Sequence, residues 1–248
     1  MSKDAVMIVD AFEVIKASHR FDIVFKVALA KAWAFGTPSE VREAEEAYLE
    51  MIRARNGFHG DFDDVPFRDK PGDFIAAFRK VADSIRAVGY DMSSPPIPVD
   101  DSLELLNGSH RLACCVAFGL KCPVVKSDVY PAGGSVLRTF LKGHIHPAVL
   151  NWGVRKYFEL VPGGALAADF GDASRYPALP FPDWTRRNNS ALVWKVKPAL
   201  SCLWYSAMLP LKSGKSREKQ LRRIEREKRK ISGFAALAEY WRKRKDER

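Results

Sequence analysis

The chain has no cysteine framework, no internal repeat, and no apolar run approaching the roughly 20 residues that a membrane span needs. Its four cysteines, Cys114, Cys115, Cys122 and Cys202, show no metal-ligand spacing. They read as buried thiols in a reduced, cytosolic setting, which excludes a small disulfide-stapled fold. The start, Met1-Ser2-Lys3-Asp4, lacks the basic-then-apolar pattern of a secretion signal, so the expected location is cytoplasmic, with peripheral contact at the inner face of the membrane the furthest extension. Basic residues far outnumber acidic ones in one region. From Lys212 to Arg248 there are 15 Lys and Arg against 6 Asp and Glu; subtracting from totals of 40 and 30 leaves 25 and 24 for residues 1–211. The net charge of +10 therefore belongs to the tail, and the body is almost neutral.

What is present is enough for a folded protein: 248 residues at 47% hydrophobic composition can bury an ordinary core. The most informative stretch is Asn107-Gly108-Ser109-His110-Arg111. Before it, Pro95-Pro96 forbids a helix, and Ile97-Pro98-Val99 and Ser102 to Leu106 are apolar and extended in character. After it, Leu112, Ala113, Val116, Ala117 and Leu120 recur at helical spacing, Gly119 offers a stop, and Cys122-Pro123-Val124-Val125 resumes an extended run. Strand, glycine turn, helix, strand is the predicted order. Glycine lets backbone approach an anion, and a helix start offers unpaired N–H groups and the positive end of its dipole. His110 and Arg111 place positive charge in the first turn, where it is unfavourable unless an anion compensates it. The turn reads as a phosphate site.

Leu103 to Ala113, with Asn107-Gly108-Ser109-His110-Arg111 at its centre and continuing to Gly119 and Val124, resembles the ParB/sulfiredoxin-like superfamily over roughly residues 95–130. The resemblance implies nucleotide phosphate binding by Asn107, Gly108, Ser109, His110 and Arg111, as in CTP-binding partition proteins, ATP-using sulfiredoxins and kinases of free serine. Sulfiredoxins need a cysteine where this chain has Ser109, which argues against sulfinic acid reduction. Many relatives have Asp where Asn107 stands, so a carboxylate for a metal or a base is missing there. More weakly, Arg20 to Lys26 and Tyr48 to Gly57 resemble proteins of bacterial surface-polysaccharide gene clusters.

Upstream, residues 10–34 show one apolar stripe, Val14, Ala17, Phe21, Val24 and Ala28, that predicts a helix. On its opposite face His19, Asp22 and Lys26 fall within about 60° of one another, so they can converge on a ligand or form a solvated polar face. Residues 39–55 predict a second helix ending at Asn56-Gly57, and Asp73 to Val88 a third ending at Gly89. Between them lies an acidic loop with Asp61, Asp63 and Asp64, which lacks calcium-loop spacing. His144 and His146 sit at strand spacing with no third metal ligand evident, and Pro147 argues for a loop. A helix is expected over 148–161. Residues 162–190 read as an irregular stretch carrying Tyr176, Phe181, Trp184, Arg186 and Arg187.

Ala199 to Leu211 is uncharged and aromatic, and Lys212 to Lys230 holds ten basic residues. An apolar patch followed by a polybasic segment suits peripheral attachment to anionic lipid. Leu221, Ile224, Ile231, Phe234, Leu237 and Trp241 also make the segment amphipathic, so packing on the body is an equal alternative and nucleic acid a third.

These readings combine into an α/β fold: a small mixed sheet of ParB/sulfiredoxin type with N-terminal helices and a basic helical C-terminal extension. The expected divisions are 1–94, a helical part packing on the core; 95–130, the phosphate-binding core; 131–198, a loop-rich substrate-shaping region; and 199–248, the tail. The expected function is an ATP- and Mg2+-dependent kinase acting on a sugar or glycan hydroxyl in surface polysaccharide biosynthesis. Asp22, Glu104 and His110 are the catalytic candidates, and His19 and Lys26 the substrate contacts. No metal ligands are assigned. The alternatives are a nucleotide-gated nucleic-acid-binding protein and an inactive scaffold. Partners would be nucleotide, the acceptor, and an anionic membrane surface met by residues 199–231.

Overall fold

The computed structural model describes residues 5–59, 68–127, 137–142, 144–182 and 214–246, together with 200, 203 and 206. Asp61, Asp63, Asp64, Trp184, Arg186, Arg187 and Cys202 lie outside the described residues. A short edge strand, β1 (Met7–Asp10), leads into α1 (Ala11–Ala17), α2 (Asp22–Phe35), α3 (Pro38–Asn56) and α4 (Pro71–Val88). Then come β2 (Ile97–Val99), α5 (Ser109–Ala117) and β3 (Lys121–Lys126), followed by α6 (Leu137–Lys142), α7 (Pro147–Leu160), α8 (Ala167–Phe170), a 3-10 turn (Ala173–Arg175) and the long α9 (Gly214–Asp246). The fold is mixed α/β and mostly helical.

The sheet has the order β1-β3-β2, with β3 antiparallel to β1 and parallel to β2. Parallel neighbours require a crossover, and α5 supplies it, so the glycine turn sits where β2 hands over to a helix. Three expectations change here. Residues 10–34 are not one helix: Asp10 caps α1, Ser18 ends it in extended conformation, and α2 starts afresh at Asp22. The N-terminal segment also contributes a strand, β1, so it is more than helical packing. Ser102 to Leu106 is no second strand either. Asp100 Oδ1 accepts from the N–H of Ser102 and of Glu104, Leu103 takes a positive φ of 67°, and only Leu105 bridges back to Val99.

The helix boundaries follow local chemistry. Thr37 and Glu40 form a reciprocal capping box at α3, Pro38 occupies its first turn, and Gly57 closes it in left-handed conformation. Pro71 opens α4, and the imidazole of His146 caps α7 by accepting from Ala148 N–H, which gives that histidine a structural role. α2 runs through the middle of the molecule, buried on most sides between α3, α5 and α7. Phe21 and Phe25 meet Phe140, Phe170 and Trp152 in an aromatic cluster that joins α2 to the C-terminal half of the body. Phe181 closes on Trp152, and Tyr176 on Phe170.

α9 runs unbroken through Ser232-Gly233. Its C-terminal half packs on α3 and α4 through Leu237 and Trp241, while Arg244 pairs with Glu45. Ile224 is buried and Leu221 is exposed, so the apolar stripe is narrower than its sequence suggests. Cys114, Cys115 and Cys122 are buried free thiols. Burial pushes the Cys114 thiol up to about 12, and Cys122 is raised by its hydrogen bond with Cys115 and by burial. Cys114 and Cys122 are poor nucleophiles.

Candidate anion-binding site at the start of α5

Gly108 takes a left-handed φ of 80°, which an L side chain rarely adopts, and so turns the chain from Asn107 into α5. Asn107 Oδ1 accepts from Gly108 N–H at 2.7 Å, so its side chain fixes the turn rather than capping the helix. Among the described residues no side chain caps α5. The N–H groups of Ser109, His110 and Arg111 are therefore left to an outside acceptor, at the positive end of the dipole.

α2 brings the matching charges. Lys26 Nζ lies 2.6 Å from Ser109 Oγ and 2.5 Å from Asp22 Oδ2. Asp22 is clamped on its other side by Arg20, whose Nε and Nη2 donate to the two carboxylate oxygens at 2.9 and 3.0 Å. Asp22 and Lys26 are 0% and 1% exposed. Burial drives the Asp22 carboxyl up, but Arg20 and Lys26 overcome it and hold the group well below the usual carboxylate range. Burial outweighs Asp22 at Lys26 and brings the ammonium down to about 8, with Arg20 and Arg55 pushing the same way. His110 is held well below its ordinary value by burial and then by Lys26 and Arg68, so its imidazole is neutral. Its Nε2 lies 3.1 Å from Tyr48 Oη, and its ring packs on Phe78.

Every predicted site residue gathers around the starts of α2 and α5, with contacts that the spacing alone did not foresee. Asp22 and Lys26 do share a face. His19 lies off the helix, before Arg20, and its Nδ1 meets Glu104 Oε2 at 3.3 Å on the rim, with the ring 47% exposed. Arg111 turns away from the open amides: Nη1 donates to Tyr90 Oη at 2.7 Å and to the carbonyl of Pro95, while Nη2 lies against Gly108. It ties α5 to the segment before β2. Asp22, with both oxygens held by cations and its proton affinity depressed, is a poor proton acceptor and serves as the anchor of Lys26 and Arg20. Sequence reasoning passed over Arg20, Tyr48, Arg55 and Arg68. Arg20 was legible as a guanidinium two residues before Asp22, whereas the Tyr48 contact joins α3 to α5 and carries no local signal.

Among the described residues no group of three His, Cys, Asp or Glu is placed to hold a metal ion. A cavity of about 630 Å³ lies along the opposite side of α2, against Phe12, Val24, Val27, Lys31, Phe35 and Trp152. Val24, Val27 and Lys31 stand roughly half a turn from Asp22 and Lys26, so that cavity does not open on the turn. Comparison of the chain with protein-family profiles, with curated proteins and with solved structures returned no match.

Proposed function

We propose that this chain is a nucleotide-dependent phosphotransferase, a kinase of ParB/sulfiredoxin-like type that moves the terminal phosphoryl group of ATP to a sugar or glycan hydroxyl. The observation that carries the reading is Lys26 Nζ, buried and held between Asp22 and Ser109, facing a helix start that no described side chain caps. Phosphoryl transfer asks the protein mainly for alignment and charge neutralisation, and backbone N–H groups backed by buried cations supply both. The Ser109, His110 and Arg111 amides would take phosphate oxygens, with Lys26 neutralising their charge. Asp22 has no free oxygen for magnesium, so the cation would arrive on the nucleotide's own phosphates. The base that accepts the acceptor hydroxyl's proton would be His19, oriented by Glu104. A lipid-linked or envelope sugar as acceptor would account for the basic tail.

The test is thermal unfolding with each nucleoside triphosphate and magnesium. At about a hundredfold excess over Kd, binding adds about 2.7 kcal/mol, which raises Tm by about 5 to 10 °C in a chain of this size. We expect that rise with ATP and its loss in Lys26→Met, a variant that keeps the apolar stem. No shift with any nucleotide, or an undiminished shift in the variant, would overturn the reading.

A further inference from the structure

A serine that only binds phosphate at a helix start serves best with its hydroxyl turned outward. Ser109 does the reverse. Its Oγ turns inward to Lys26 at 2.6 Å, and the lysine is itself buried against Asp22. Lys26 Nζ is the amine in contact with that oxygen, so a proton leaving Ser109 has Lys26 as its receiver. A hydroxyl beside a buried amine is the core of an activated nucleophile. Exposed Asn107 and half-buried Gly108 leave the approach open from the turn, although Ser109 is only 8% exposed.

We propose that Ser109 is the nucleophile of a double-displacement reaction: it takes the γ-phosphoryl group of a nucleoside triphosphate as phosphoserine and then yields it to the acceptor hydroxyl. The proposal rests on the reading of the turn as a nucleotide phosphate site. In the first half, Lys26 Nζ first gives up to solvent the proton it carries while holding the phosphates; Ser109 Oγ then bonds to the γ-phosphorus and passes its own proton to Lys26 Nζ, which restores the cation. The bond to the β,γ-bridging oxygen breaks, and the nucleoside diphosphate leaves with the electron pair. In the second half, the acceptor oxygen bonds to phosphorus and gives its proton to His19, which returns it to solvent. Ser109 Oγ departs with its bonding electrons and recovers the proton held by Lys26. Lys26 faces Asp22, Arg20, Arg55 and His110; the Asp22 carboxyl and the His110 imidazole are both held well below their ordinary values, so neither titrates near pH 8. The first half-reaction should therefore quicken as pH rises toward about 8 and Lys26 loses its proton.

The experiment incubates the full chain with magnesium ATP and labelled ADP, without acceptor, and follows label entering ATP. Intact mass is read in parallel, and Ser109→Ala is carried alongside. We expect exchange and a gain of one phosphoryl group at Ser109. Both should be lost in Ser109→Ala, while magnesium ATP still raises that variant's Tm. A Tm rise in the unmodified chain with no exchange and no phosphoserine would overturn the proposal and leave the nucleotide reading standing. Exchange that persists in Ser109→Ala would overturn it as well. The absence of any nucleotide-dependent Tm shift would remove the reading beneath it.

Discussion

Asp22 is fully buried yet carries charge in the folded chain, because Arg20 grips both of its oxygens and Lys26 closes on one of them. Removing one partner of such a cluster costs more than the cluster is worth, since the remaining charges stay buried without compensation. Asp22→Asn should therefore lose about 3 to 5 kcal/mol in urea unfolding. Asp22→Asn combined with Lys26→Met should recover part of that loss. The pH dependence has a definite sign. A carboxyl depressed on folding contributes stability above its ordinary value of 3.8, and that contribution goes as pH falls through the lower folded value. Lys26 acts in another window: at about 8 folded against 10.5 ordinarily, it binds fewer protons than the unfolded chain between those values, so stability from this group rises with pH across them. The Asp22 and Lys26 pairing was readable from helical spacing. The guanidinium of Arg20, two residues before Asp22, was legible in the same way, but the contact of Tyr48 with His110 was not, because it depends on where α3 and α5 come to rest.

At the scale of elements, what the sequence made plain were pieces that carry their own start and stop signals. The capping box and Gly57 delimit α3, Pro71 and Gly89 delimit α4, and Gly108 marks the entry to α5. β1 carried no such signal: it is four residues at a sheet edge, and its partner β3 is remote in sequence. Gly233 shows the opposite case, a residue whose reason lies outside its own helix. In an isolated helix glycine weakens the middle. Here α9 crosses the end of α3, and a Cβ at 233 would lie 3.0 Å from Arg53 Cγ and 3.3 Å from Gly57 Cα. Arg53 is 0% exposed, bonded to Glu50 and to the carbonyl of His144, so it has no room to yield. Gly233→Ala should thus destabilise by about 1 to 3 kcal/mol despite alanine's better helix propensity. A lower urea midpoint would show the crossing, and a higher one would mean the helix lifts off without cost.

For the whole molecule, the question is why a nearly neutral body carries so basic an extension. The C-terminal half of α9 is committed to α3 and α4 through Leu237, Trp241 and Arg244, and one face of the earlier half is buried too, at Gln220, Ile224 and Glu227, which leaves the outer face of that half to be explained. Earlier in the helix Lys219, Arg222, Arg223 and Lys228 face solvent, and Arg222 and Arg229 are partly offset by Glu218 and Glu225 one turn away. Leu200 and Leu203 are 58% and 66% exposed just before it. No helix among the described residues is long and apolar enough to cross a membrane. Exposed leucines preceding a basic helix in the chain match an anionic bilayer, where each basic residue near the surface contributes about 1 kcal/mol. Nucleic acid would use the charge and leave the leucines without a role. We therefore expect the chain to sediment with phosphatidylserine-containing vesicles and not with neutral ones. Release should follow as salt shortens the Debye length to a few ångströms. Replacing Leu200 and Leu203 with serine should weaken vesicle binding and leave any duplex DNA binding unchanged, whereas charge alone at work would make the leucine variant sediment like the parent.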